Sequence, residues 1–367
     1  MEILSIDGSM GEGGGQILRT ALSLSMLTKK SFQMVNIRSN RKEPGLKAQH
    51  LHAIKALMQV SECKCQNMFE GSPSITFFPS EINKFNLTVD IGTAGSITLL
   101  LQAVLPALMF AREKTRITIK GGTDVSWSIP FDYFNSVLAP QIRRHCGIEL
   151  RLVKRGYYPK GGGIVEAEIS PRISLSEFPD FNSFLERVRR LERFELVERG
   201  NLVCIKGVSH ASSALESARV CERQAEIAVL QLKKLGQPIQ IKKEYSNSES
   251  IGSGLSLFAF FSEHRSSNDF NSEHPIILGA DSLGKQGKPA EDVAVECVNS
   301  LLSEIDANGC VDSHLSDQLI PFLGLFGGMM RISKITEHLK TNILVTEAFL
   351  GKCFRIDEEN RIISTIF

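Results

Sequence analysis

The feature that most constrains the fold is a local pattern that recurs along the chain: a strand-like apolar run, a loop of small residues, then an apolar helix. Ile3–Ile6 leads through Gly11-Glu12-Gly13-Gly14-Gly15 into Ile17–Leu27, and Leu87–Ile91 leads through Gly92-Thr93-Ala94-Gly95-Ser96 into Ile97–Phe110. A third copy starts at Pro275–Gly279 and passes through Gly284-Lys285-Gln286-Gly287-Lys288 to a helix around Ala290–Ile305. Val293, Cys297, Leu301 and Ile305 share one face of that helix. The first two copies continue alike, with a β-branched strand (Met34–Ile37; Arg116–Ile119) and a second helix (Ala48–Val60; Asp132–Cys146). Strands close each unit (Ser74–Phe78; Glu149–Val153 with Ile164–Ile169). Alternating helix and strand at a repeat of roughly eighty to ninety residues predicts stacked α/β units, three of them about a pseudo-threefold axis.

Residues 181–272 break this rhythm. They hold a charged run (185–190), a strand (Leu202–Gly207), a long helix (Ala214–Leu235), and strands at Ile239–Glu244 and Leu255–Phe261. The expectation is a smaller inserted α/β domain over 181–272, with 1–180 and 273–367 forming the large domain. A chain of 367 residues, 42% hydrophobic and 23% charged, has material for such cores. The net charge of +1 excludes a polybasic nucleic-acid sponge but leaves room for a local basic patch. The first residues carry no basic segment followed by an apolar run, and the longest apolar stretch, Ile97 to Ala111, is interrupted by Gln102 and Pro106. The expectation is a soluble cytoplasmic protein without a secretory signal or membrane span. Eight cysteines without metal-ligand spacing read as scattered reduced thiols.

Four stretches carry chemistry. In Gly11–Gln16, glycines between strand and helix let backbone N–H groups approach an anion, although a turn without a ligand explains a lone glycine loop equally well. Glu12 inside the loop could hold a divalent cation, and Arg19 follows one turn into the helix. Arg38, Arg41, Lys42 and Lys47 surround a strand end and a loop closing in Pro44-Gly45, which suits phosphate binding as well as it suits a solvated basic loop. Arg155-Gly156-Tyr157-Tyr158-Pro159-Lys160-Gly161-Gly162-Gly163 has more glycine than a hairpin needs, so a close backbone or ligand approach is expected. The last stretch holds His314-Leu315-Ser316-Asp317-Gln318-Leu319 and Glu337-His338-Leu339-Lys340-Thr341-Asn342. Asp317 is a candidate metal ligand, and His314 and Gln318 are candidate base or ribose contacts. Local sequence does not single out His338 among eight histidines.

Taken together, these stretches resemble the RNA 3′-terminal phosphate cyclase family. The match is carried by Gly11–Arg19, Ile37-Arg38 with Arg41, Pro44-Gly45, Gln49-His50, Thr93–Ser96 with Gln102, Gly121-Gly122-Thr123, the Arg155–Gly163 run, His314–Leu319 and His338–Asn342. It runs from near the first residue to about Leu350 and is weakest in residues 181–272. The resemblance implies a large domain of three βαβαββ-type repeats with a smaller α/β insert. It implies conversion of an RNA 3′-phosphate and ATP into a 2′,3′-cyclic phosphate, AMP and pyrophosphate. His338 would be the nucleophile that carries AMP. Gln102, Pro130, His314, Leu315, Ser316, Asp317 and Gln318 would form the ATP site, and Arg19, Arg38, Arg41 and Gln49 would face the RNA terminal phosphate. Glu12 and Asp317 would hold a divalent metal, Mg²⁺ or Mn²⁺. RNA 3′ ends and ATP are the implied partners, with no obligate protein partner evident. The family usually has Tyr where this chain has His314; histidine keeps a stacking surface for adenine and leaves nucleotide preference open.

Two other readings share the architecture. A non-catalytic ribosome-assembly branch of the family keeps the fold and lacks the nucleophilic histidine, so His338 argues against it. An enolpyruvyl transferase would need neither that histidine nor the Arg155–Gly163 run. The cyclase reading requires His338, Glu12, Asp317 and Arg38 to line one cleft.

Overall fold

The computed structural model describes residues 3–11 and 13–367. Glu12, the expected metal ligand, lies outside the described residues. The first unit runs β1 (Leu4–Asp7), α1 (Gly15–Thr28), β2 (Phe32–Val35), α2 (Ala48–Val60), β3 (Lys64–Gln66) and β4 (Ile75–Phe78). The second runs β5 (Asn86–Asp90), α3 (Ile97–Leu108) and β6 (Thr115–Gly121), then α4 (Phe131–Tyr133) joined through a wide turn, Phe134–Leu138, to α5 (Ala139–Arg143), and finally β7 (Cys146–Lys154) and β8 (Gly163–Pro171). The chain continues through α6 (Phe181–Val188), β9 (Phe194–Leu196), β10 (Leu202–Ser212), α7 (Val220–Leu232), β11 (Ile239–Ser246), β12 (Ser253–Phe261), β13 (Ile276–Leu283) and α8 (Ala290–Asp306). It ends with α9 (Ser313–Phe326), β14 (Gly328–Arg331), α10 (Glu337–Leu350), β15 (Phe354–Asp357) and β16 (Ile362–Thr365).

These strands form several small mixed sheets, three of which share one pattern. β1 is parallel to β2, β2 antiparallel to β4, and β4 antiparallel to β3. β5, β6, β8 and β7 repeat that order, as do β9, β14, β16 and β15. The remaining sheet has the order β11-β10-β12-β13.

The strand and helix expected to open a third copy therefore sit elsewhere. β13 pairs with β12 along its whole length, so it completes the sheet of the segment expected as an insert, and the buried face of α8 belongs with it. The sheet that matches the first two begins instead at β9, far upstream of its partner β14. Gly328 makes that pairing possible. It has φ +121°, and a Cβ there would collide with the Phe194 carbonyl oxygen. At the other end of residues 181–272, α6 turns inward, and Phe184 packs edge-on against Phe110 at 4.9 Å between ring centroids.

The helices of the three similar sheets meet in one core. α1 is buried on nearly every face from Ile17 to Thr28, as its apolar run requires, and it packs against α3 and α10. Residues at its N-terminus are the ones that reach the surface, so the core fixes α1 and the loop before it points into a cleft. Among the described residues, no helix is long and apolar enough to cross a membrane.

Candidate active site

The cleft has a volume of about 920 Å³ and is bordered by the first turns of five helices. Gly15 and Gln16 of α1, Ala48 and Gln49 of α2, Leu99 of α3, His314 and Asp317 of α9 and His338 of α10 all line it. Each helix start carries partial positive charge, so the arrangement favours anions. No side chain caps α1 at Gly14, which leaves its first amides to other partners.

Arg19, Arg38 and Arg41 reach the same space. Burial lowers the Arg19 guanidinium to about 10. Burial lowers Arg38 as well, the neighbouring Arg41 adds to this, and Glu43 opposes it. A Cβ placed on Gly14 would lie 3.6 Å from both Arg41 Nη2 and His338 Cε1, so cation and imidazole converge over that glycine.

His338 is held through its helix. The Thr336 hydroxyl accepts from the Leu339 N–H at 2.9 Å, capping α10, and donates to Asp317 Oδ1 at 2.6 Å. Asn342 Nδ2 donates to the Asp317 carbonyl oxygen at 2.6 Å, and Thr20 Oγ1 donates to Asn342 Oδ1 at 2.8 Å. α1, α9 and α10 are thus tied together beneath the imidazole. On the far wall, Gln102 Nε2 donates to Gln318 Oε1 at 3.0 Å, and Gln318 Nε2 donates to the His314 carbonyl oxygen at 2.9 Å. The exposed His314 ring stands edge-on to Tyr133.

The cleft therefore brings together His338, Asp317, Gln318, His314, Gln102, Arg19, Arg38, Arg41 and Gln49. Three expected ATP-site residues stand apart. Leu315 is fully buried in the core and Ser316 is fully buried on α9, because the first turn of a helix can offer only one of its faces to the cleft. Ser316 Oγ donates to the Ser313 carbonyl oxygen at 2.9 Å. Pro130 is buried and does not line the cleft, whereas its neighbour Ile129 does.

His50, named in the sequence reading only as part of a motif, and Asp281, not named there, both line the cleft. His50 Nδ1 accepts from the Lys47 backbone N–H at 3.0 Å, which puts its proton on Nε2. That Nε2 is buried against Gly15 without a hydrogen-bond partner among the described residues. Burial, reinforced by Arg19, Arg38 and Lys47, lowers this imidazole to about 3, so it is a neutral donor at the start of α1. Asp281 also lines the cleft, and burial raises it to about 6; His314 opposes the shift, while Asp124, Asp312 and Glu296 reinforce it.

The Arg155–Gly163 run lies outside the cleft, and Gly156, Gly161 and Gly163 serve close backbone packing. A Cβ on Gly161 would lie 2.5 Å from the Thr93 carbonyl oxygen. Arg155 is buried among Asp124 (3.1 Å), Asp132 (2.8 Å) and Glu244 (2.9 Å). Asp124, Asp132 and His210 are the one cluster among the described residues with metal-ligand spacing. Arg155 already supplies the positive charge there, so the cluster is an ion-pair knot joining β11 to the loop after β6.

This is a mixed α/β chain whose cleft gathers helix starts and three arginines, an arrangement that favours anionic groups. The family model for RNA 3′-terminal phosphate cyclases matches residues 10–356, and the chain belongs to that family. The RNA 3′-terminal phosphate cyclase of Pyrococcus furiosus is 45% identical over 356 residues, covering 96% of this chain and 95% of that protein. That of Saccharolobus islandicus is 42% identical over 352 residues, covering 95% and 94%, and that of Methanosarcina barkeri 40% over 360 residues, covering 97% of each. The chain is an enzyme of this class.

Proposed function

We propose that the chain uses ATP to activate an RNA 3′-phosphate and closes it into a 2′,3′-cyclic phosphodiester, with His338 as the covalent carrier of AMP. The observation that carries this reading is that His338 shares one cleft with the Arg19–Arg38–Arg41 cluster on one side and the Gln102–Gln318–His314 wall on the other.

The chemistry has three displacements. A His338 ring nitrogen attacks the α-phosphorus of ATP, forming an N–P bond and releasing pyrophosphate. An oxygen of the RNA 3′-phosphate attacks the same phosphorus, and the imidazole leaves. The 2′-OH then attacks the 3′-phosphorus, AMP departs, and the hydroxyl proton passes to water. Without activation the ring closure would have to expel oxide or hydroxide. Phosphoryl-type transfer asks a protein mainly for positioning and charge neutralisation, which the helix starts and arginines supply. Arg19, Arg38, Arg41 and Gln49 would hold the RNA terminal phosphate, the His50 N–H would add a neutral donor, and Gln102, Gln318 and His314 would face the nucleotide.

The donor set fits a hard divalent cation: the Asp317 carboxylate faces the cleft, and Mg²⁺ or Mn²⁺ takes one or two carboxylates together with substrate phosphates. Asp317 with Glu12 would hold it, and its charge would offset that of the triphosphate. The three sheets of like strand order support a reading as three βαβαββ copies about a pseudo-threefold axis. The smaller α/β unit is then inserted between Leu196 and Asp312.

The reading is tested with a 3′-phosphorylated oligoribonucleotide, ATP and Mg²⁺. The expected result is an end that becomes resistant to phosphatase and regains sensitivity after acid opening, only when ATP is present. An end that stays phosphatase-sensitive contradicts the reading.

A further inference from the structure

Trp127 is the sole tryptophan of the chain and is 97% exposed. An indole gains so much from burial that full exposure is unusual. Its backbone is also in the left-handed region at φ +67°, a sparsely populated conformation for a bulky residue that persists only where the surroundings impose it. Here they do. Thr98 Oγ1 donates to the Ile129 carbonyl oxygen at 2.7 Å, and the Phe131 N–H donates to the Thr123 carbonyl oxygen at 3.0 Å. Arg155 holds Asp124, Ser128 Oγ donates to the Val125 carbonyl oxygen, and the Val125 and Ile129 side chains are buried on either side. The loop between β6 and α4 is thus fixed at both ends, with a bare indole at its tip.

That tip lines the same cleft as Arg38, Arg41 and Lys47. A flat aromatic surface in a cleft that also holds cations matches a single-stranded nucleic acid, whose bases stack on aromatic side chains while its phosphates meet the cations. We propose that Trp127 is a stacking platform for an unpaired base at or next to the 3′ end of the RNA. This rests on reading the cleft as the RNA-end site. The mouth position selects the polymer over the ATP adenine, because only the polymer must continue out of the cleft. The rigid loop means that stacking costs little ordering of the protein.

As the sole tryptophan, Trp127 reports on itself. The full chain is titrated with a 3′-phosphorylated single-stranded oligoribonucleotide without ATP, following tryptophan emission and, separately, the anisotropy of a dye on the RNA 5′ end. The expected result is saturable quenching that tracks the anisotropy. Trp127→Ala should weaken RNA binding by about 5- to 150-fold, and Trp127→Phe should retain most of the affinity. An RNA of equal length with abasic sugars at its last two positions should bind more weakly and fail to quench. Saturable binding with unchanged emission, or unchanged affinity in Trp127→Ala, overturns the platform and leaves the cyclase reading intact. Quenching by ATP but not by RNA assigns the indole to the nucleotide and also overturns it. RNA that gives neither signal overturns the cleft reading and the platform together.

Discussion

Asp281 sits inside the cleft facing His314, with Asp124, Asp312 and Glu296 acting on it, and burial holds its carboxyl near 6 against an ordinary 3.8. A carboxyl whose folded value is raised costs stability once ionised. The cost is absent below the unfolded value near 4, grows as pH rises through 6, and is fully present above it. Asp281→Asn is therefore expected to stabilise the protein by about 1–3 kcal/mol at pH 8 and to leave it unchanged at pH 4. Denaturant midpoints at the two pH values check this, and equal gains at both would sink it. Such residues were not legible in the sequence. Asp281 and His50 owe their properties to burial and to charges brought from distant segments, and their own neighbours in sequence announce neither. The arginines were legible because a cluster at a strand end is visible locally. The role proposed for His338 is suggested only by the motifs around it.

At the scale of elements, the cleft is a meeting of helix starts. The glycine loops before α1 and α3 and the Pro44-Gly45 loop before α2 are visible in the sequence, and α2 begins and ends where its periodicity places it. The third sheet of like strand order was not visible. Its first strand is only Phe194-Glu195-Leu196, inside a charged stretch, while β13 and α8 carry a more regular apolar pattern and β13 belongs to another sheet. Periodicity reports burial but does not report the sheet in which a strand is buried. Thr336 shows what a helix start does beyond charge, since one hydroxyl caps α10 and anchors Asp317. Thr336→Ala should cost about 1 kcal/mol of stability and, by loosening His338 and Asp317 together, slow adenylylation on the order of 10- to 100-fold. Thr336→Ser should restore both. Single-turnover AMP transfer by the three proteins decides it, and full-rate transfer by the alanine variant would contradict the coupling.

At the scale of the molecule, Arg155 joins the β6–α4 loop to β11. With 1% of its side chain exposed and three carboxylates around it, it is a buried charge that only its partners make tolerable. Arg155→Met should cost about 3–5 kcal/mol, read as a fall in the unfolding midpoint. Adding Asp124→Asn should recover part of the loss, whereas simple additivity would show that the knot carries no coupling. The sequence marked this run as unusual, but whether its glycines faced a ligand or the protein itself could be decided only once Thr93 and Glu249 had been brought beside it. The central claim remains that the cleft forms a covalent His338–AMP, and the most direct measurement is incubation of the full chain with α-³²P-labelled ATP and Mg²⁺ or Mn²⁺, followed by denaturing electrophoresis. The account predicts an acid-labile label on the protein, lost in His338→Ala and discharged on addition of 3′-phosphorylated RNA. A wild-type chain that takes no label, or a His338→Ala chain that still does, would contradict it.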